Sequence, residues 1–213
     1  QDYVEAETLC LEAIRIREKV LGNEHPDYAT SVDFLASTYL RMGKYEDAEP
    51  LYLKAKTIRA NVLGKEHPDF AVSLLNLTAF YSTIGNFEKA ELPALEAIAI
   101  QKKLLGKEDL ILAKSQIYLA TVYSNMGNYE KSEPLFLEAI AIQEKNLGKT
   151  HSDYAASLYG LAVLYGNMGN YEKAELYFLE ALAIREKLFG KEHTFYAEIL
   201  DKLTILNIHI GNY

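Results

Sequence analysis

The sequence predicts an all-α solenoid of stacked antiparallel helix pairs, with about ten helices. Three observations carry that prediction. Gly43, Gly85, Gly127, Gly169 and Gly211 are spaced by 42 residues, and so are Gly22, Gly64, Gly106, Gly148 and Gly190. Between the glycines, apolar residues recur at spacings of three and four, the period of one helical face. No stretch carries the alternation of a strand. A single helix pair cannot bury its apolar stripe, so each pair must stack on the next.

The copies are 1–42, 43–84, 85–126, 127–168 and 169–210, and Gly211-Asn212-Tyr213 opens a sixth. Each contains two helical patterns. One opens at Asn170-Tyr171, with Asn170 as N-cap and Glu172 where a negative charge suits the helix dipole. Asn86 and Asn128 repeat the cap, Asp2 substitutes for it, and Lys44 does not. The stripe Tyr171, Ala174, Phe178, Ala181, Leu188 follows, and Gly190 stops the helix with positive φ. Pro50, Pro93 and Pro134 fall about six residues into helices of this type, where each removes a backbone hydrogen bond.

The other helix opens at His25-Pro26-Asp27-Tyr28, where proline is tolerated in the first turn. His67-Pro68-Asp69-Phe70 repeats it, Ser152 and Thr194 replace the proline later, and Asp109 is the expected cap in the third copy. The stripe is Tyr28, Val32, Leu35, Tyr39, Met42. Helices are expected at 3–21, 26–42, 45–63, 68–84, 87–105, 110–126, 129–147, 152–168, 171–189 and 194–210. The chain reads as one array without linkers: a half repeat 1–21, full repeats 26–63, 68–105, 110–147 and 152–189, and a half repeat 194–210.

Composition narrows the function classes. Net charge is −8, which argues against direct binding to nucleic acid, since phosphate recognition needs a basic surface. No apolar run reaches the roughly 20 residues that span a bilayer. The single cysteine, Cys10, excludes an internal disulfide and fits a reducing, cytoplasmic compartment. It replaces an aromatic of its column (Tyr52, Phe136, Phe178) and is expected in the core.

The column Leu35-Ala36…Tyr39…Gly43…Tyr45…Ala48…Ala55 resembles the tetratricopeptide repeat (TPR) signature. Leu77-Thr78…Tyr81…Gly85…Phe87…Ala90…Ala97, Leu119-Ala120…Tyr123…Gly127…Tyr129…Ser132…Ala139 and Leu161-Ala162…Tyr165…Gly169…Tyr171…Ala174…Ala181 repeat it. The usual period is about 34 residues. The longer 42-residue form resembles repeats of kinesin light chains and of bacterial sensor and effector proteins. That resemblance implies a right-handed superhelix in which the Leu-Ala-x-x-Tyr helix, helix A, lines a concave groove and the Gly-Asn-Tyr helix is helix B. It also implies a scaffold for protein–protein interaction, binding a peptide or a partner-protein segment. An alternative is a regulatory segment of a larger effector, such as a caspase-like (CHAT-type) protease. On this reading the chain begins on an unpaired helix B and ends on an unpaired helix A. Leu200, Leu203, Leu206 and Ile210 are then expected to lie bare. A segment of a longer protein is the simplest account, and self-association through the uncapped terminal helices is the other.

On helix A, positions 30, 33, 34, 37 and 41 lie almost opposite the core stripe. Core columns hold between copies, whereas this face varies and is apolar in the middle. The candidate partner-binding residues are therefore Phe34, Leu75, Asn76, Ile117, Tyr118, Asn125, Tyr159, Val163 and Asn167. Tyr118 and Tyr159 are the expected anchors, because buried aromatics carry much interface energy. The asparagines offer amides to an extended backbone. Some TPR domains grip a C-terminal carboxylate with Lys and Asn on helix A. Positions 33, 75, 117 and 159 here are Asp, Leu, Ile and Tyr, so that clamp is missing. Of the kinesin-type Asn-Asn pair, only Asn76 is present.

No catalytic residue, metal site or cofactor is expected, and an enzyme is not. His25, His67, His151 and His193 form a column. Members 42 residues apart sit on successive repeats, too far apart to share an ion whose ligands lie about 2 Å from one centre. Glu7, Glu49, Glu91, Glu133 and Glu175 form another column, read as a repeated helix-surface role. Arg-Glu-Lys at 17–19 and 185–187 reads as a solvated face with local pairing.

Overall fold

The computed structural model describes residues 3–211. Among them are ten helices: α1 Tyr3–Leu21, α2 Pro26–Arg41, α3 Tyr45–Val62, α4 Pro68–Thr83, α5 Phe87–Leu105, α6 Leu110–Asn125, α7 Tyr129–Leu147, α8 Ser152–Asn167, α9 Tyr171–Phe189 and α10 Thr194–Ile210. The fold is all-α, a helical solenoid. Asp2, the expected cap of α1, and Asn212-Tyr213 lie outside the described residues. The chain divides into two compact units, Gln1–Gly106 and Lys107–Tyr213. In each, a helix packs on the one before and the one after it in sequence.

The helix ends show why the columns repeat. α2, α4, α6 and α8 stop one residue before the expected end. The stop is a Schellman turn: Lys44 N–H donates to Tyr39 O at 2.9 Å and Gly43 N–H to Leu40 O at 3.0 Å. Gly43 takes φ +74°, which an L side chain rarely adopts. The same bonds recur at Asn86 to Tyr81, Asn128 to Tyr123 and Asn170 to Tyr165, at 2.8–2.9 Å. The asparagine closes one helix with its N–H, and Asn86 and Asn170 open the next with their side chains, accepting from Lys89 and Lys173 N–H. Asn128 departs from expectation, because its side chain makes no capping bond.

The histidine column caps the other helices. His25, His67 and His151 accept at Nδ1 from the N–H of Asp27, Asp69 and Asp153 at 3.1 Å, and His193 from Phe195 N–H at 3.2 Å. Asp109 takes the role in the third copy, accepting from Ile111 N–H at 2.7 Å. The histidines are therefore structural. Helices α3, α5 and α7 run on through Pro50, Pro93 and Pro134.

In the first unit, Tyr28, Val32, Ala55 and Ile58 form one core cluster, and Phe70, Leu74, Ala97 and Ile100 another. In the second unit one cluster runs from Ala120 and Phe136 through Leu158, Leu161 and Phe178 to Leu206, and Ala113, Ala139 and Ile142 form another. Leu203 and Leu206, expected to lie bare, are buried because α10 turns that face onto α9, whereas Leu200 and Ile210 are exposed. Cys10 is only half-buried.

The glutamate column has a defined partner. The signature tyrosine hydroxyls donate to it: Tyr39 to Glu7 at 2.9 Å, Tyr81 to Glu49 at 2.7 Å and Tyr165 to Glu133 at 2.5 Å. Lys44, Lys89 and Lys173 lie over the same three rings at 4.6–5.3 Å. Burial, and then the bond to Glu49, push the Tyr81 hydroxyl up to about 12.

Candidate functional site

Each unit places some of the candidate residues in the open and sets others to work inside the fold. In the first unit Phe34 is 62% exposed on α2, beside a cleft of about 420 Å³ shared with Cys10, Ser37 and Arg41. Leu75 is half-buried against the cluster of Phe70, Leu74 and Ile100. Asn76 is half-buried, and its amide lies near enough to the Asp33 carboxylate to favour the charged form.

Asp33 lies on the predicted groove face but is 8% exposed. Its Oδ2 accepts from Arg59 Nη1 at 2.5 Å. Arg59, on α3, is 4% exposed and also donates to Ser73 Oγ on α4 at 2.5 Å and to Thr30 Oγ1 on α2 at 3.1 Å. A guanidinium thus knots three helices together. Burial holds the Asp33 carboxyl above its ordinary range, although Arg59 pulls the other way. Arg17 makes a simpler version, donating to Asp27 O at 2.8 Å and Ser31 Oγ at 2.7 Å. The solvated-face reading of Arg-Glu-Lys therefore fails for its arginine: the long apolar stem carries the guanidinium between helices while Glu and Lys stay outside.

In the second unit Ile117 and Tyr118, both half-buried, line a cleft of about 430 Å³ between α6 and α8. Leu110, Ile111 and Lys114 extend the α6 wall; Asp153, Ala156 and Ser157 form the α8 wall; Gln143 of α7 also lines it. Val163 and Asn167 meet at a second cleft of about 230 Å³, with Tyr171, Lys202, Ile205 and His209. Asn125 is exposed and bonds back to its own helix, donating to Thr121 O at 2.8 Å. Tyr159 is tied into the fold. Its ring meets Phe178 edge-on at 5.6 Å, and its hydroxyl lies near the carboxylate of Glu198 of α10. Burial, and then the nearby Glu198 carboxylate, raise its hydroxyl well above the ordinary range. Of the two expected anchors, Tyr118 faces the cleft between α6 and α8.

Reading the copies column by column missed Gln143 and Ser157. The signal was present: one column reads Arg17, Arg59, Gln101, Gln143, Arg185, so the guanidinium is dropped twice. Among the described residues, no group of three or more His, Cys, Asp or Glu could hold a metal ion. No described helix is long and apolar enough to cross a membrane.

A tetratricopeptide repeat family model matches residues 1–52, 29–103 and 111–187. This chain belongs to the tetratricopeptide repeat family. A Podosopora anserina protein assigned as a kinesin light chain, with nearly identical TPR-like repeats, is 30% identical over 87% of each chain, with a TM-score of 0.74. BtubC (BKLC) from P. vanneervenii shares the fold at 20% identity, over all of this chain and 85% of its own, with a TM-score of 0.82. A Pyrococcus horikoshii signal transduction ATPase with numerous domains, which has a tetratricopeptide repeat sensor, is 20% identical at a TM-score of 0.71. There 89% of this TPR chain is matched to 28% of that one. No curated protein sequence matches. TPR repeats generally mediate protein–protein interaction.

Proposed function

We propose that this TPR chain is an interaction scaffold. It binds a peptide or partner-protein segment on the face presented by the first helix of each repeat, with the cleft between α6 and α8 as the main contact. The observation that carries this reading is Tyr118 with Ile117 and Ile111 in that cleft. A large aromatic and two branched aliphatics remain accessible there, while the equivalent aspartate in the first unit is locked away by Arg59. Phe34 gives the first unit its own exposed aromatic. The mechanism is rigid presentation: capped, Schellman-closed helices fix the scaffold, and the variable positions supply specificity with little ordering cost.

The test is an affinity capture from host-cell lysate with the full chain and two variants. Tyr118→Ala should lose the retained partner, and Leu137→Ala, on the exposed outer side of α7, should keep it. A partner that survives Tyr118→Ala but not Leu137→Ala would place binding on the second helices and remove the cleft.

A further inference from the structure

We infer that the α6–α8 cleft takes an arginine side chain of the partner. This rests on the interaction reading above and names the chemistry of its main contact. The starting point is an unmatched group. Gln143 is 5% exposed, and its Oε1 is buried with no hydrogen-bond partner in the protein. A buried acceptor left unpaired is costly, so a ligand that brings a donor is favoured there.

The chain itself shows which donor fits. Gln143 stands in the column of Arg17 and Arg59. In both of those repeats a guanidinium lies between helices and donates to the serine fourteen residues on, Ser31 or Ser73. Arg17 donates as well to the carbonyl of Asp27, ten residues on. The second unit keeps the corresponding acceptors, Ser157 and the carbonyl of Asp153, and both residues line the cleft with Gln143. Replacing Arg by Gln keeps an amide and removes the guanidinium. What remains is a cleft of about 430 Å³ with the acceptors of a guanidinium site and no guanidinium of its own.

The remaining walls suit the same guest. Leu110 and Ile117 match an apolar stem, and the Tyr118 ring offers a face to a planar cation. The Asp153 carboxylate is exposed at the rim, and the chain as a whole carries −8. Lys114 opposes binding, but it is exposed and can swing outward. Arginine is preferred to lysine because one planar fork reaches several acceptors at once and sheds its water more readily.

The experiment titrates N-acetyl-arginine methylamide into the full isotope-labelled chain and follows amide shifts, with the lysine and citrulline analogues alongside. The arginine probe should shift resonances in 110–118, Gln143 and 153–157, and bind at least about threefold tighter than either analogue. Gln143→Arg should fill the cleft from within and lower probe affinity about tenfold or more without loss of helix. Ser157→Ala, which removes only a hydroxyl, should weaken the probe by several-fold and covers the case of a misfolded Gln143→Arg. Equal binding of the three analogues, shifts elsewhere, or an unaffected Gln143→Arg would overturn the inference. The partner from the lysate separates the two readings. If it is lost on Tyr118→Ala but kept by Gln143→Arg, the scaffold stands and the arginine fails.

Discussion

Substituting Arg59→Gln is expected to be among the most damaging single changes in the first unit. The change keeps a polar side chain of fair length but removes the guanidinium that donates to Asp33 Oδ2, Ser73 and Thr30 together. Asp33 is 8% exposed, so its carboxylate would remain buried with only the Asn76 amide beside it. Breaking a buried pair by removing one partner costs about 3–5 kcal/mol. With a urea slope of about 1–3 kcal/mol/M, that moves the unfolding midpoint down by roughly 1–5 M. The chain also supplies its own repair. The column partners of Asp33 and Arg59 in the second unit are Ile117 and Gln143, a natural apolar–amide combination. The double variant Asp33→Ile with Arg59→Gln should therefore return to within about 1 kcal/mol of wild type. The assay is urea unfolding of the full chain followed by circular dichroism, as a double-mutant cycle. A loss under about 1 kcal/mol for Arg59→Gln, or a double variant no better than the single, would refute the reasoning.

Further outcomes test the scaffold. His67→Ala should cost about 1 kcal/mol by removing the acceptor for Asp69 N–H, whereas His67→Asp should hold, since Asp109 already does this work in the third copy; thermal melts decide. The contribution of Tyr81 to stability should be level below pH 10 and be lost between pH 10 and about 12, because its hydroxyl is held neutral in the fold and ionises more easily when unfolded. Tyr81→Phe should make the alkaline loss shallower, leaving the share of Tyr154, Tyr159 and Tyr165. Gly166→Ala should stabilise α8 by up to about 1 kcal/mol, because a methyl there meets nothing within 4 Å. Gly160→Ala on the same helix should not, because its methyl would lie 2.8 Å from the ring of Phe136, which is itself buried.

The helices, their stops and their caps were legible in the sequence because each is set locally. Gly43 needs positive φ, His25 and Asp109 need only a neighbouring N–H, and the apolar period needs only a face. The tie between Tyr81 and Glu49 was half legible: both columns were visible, but a bond across 32 residues depends on how one helix B meets the next helix A. The candidate site was less legible for the same reason. Tyr118 and Tyr159 look alike on a helical wheel, yet Tyr159 lies one position from Tyr118 in the repeat register and turns into Phe178 and Glu198. Arg17 reads as part of a solvated face because a long side chain's direction is not a local property. Only packing reveals that its head is inside, and only then does the change to Gln143 become informative.

The most direct test of the account is the affinity of the captured partner for the full chain, measured by calorimetry with wild type, Tyr118→Ala and Leu137→Ala. The scaffold account predicts a loss of at least about tenfold for Tyr118→Ala and less than about twofold for Leu137→Ala. Equal losses, or a loss confined to Leu137→Ala, would contradict it.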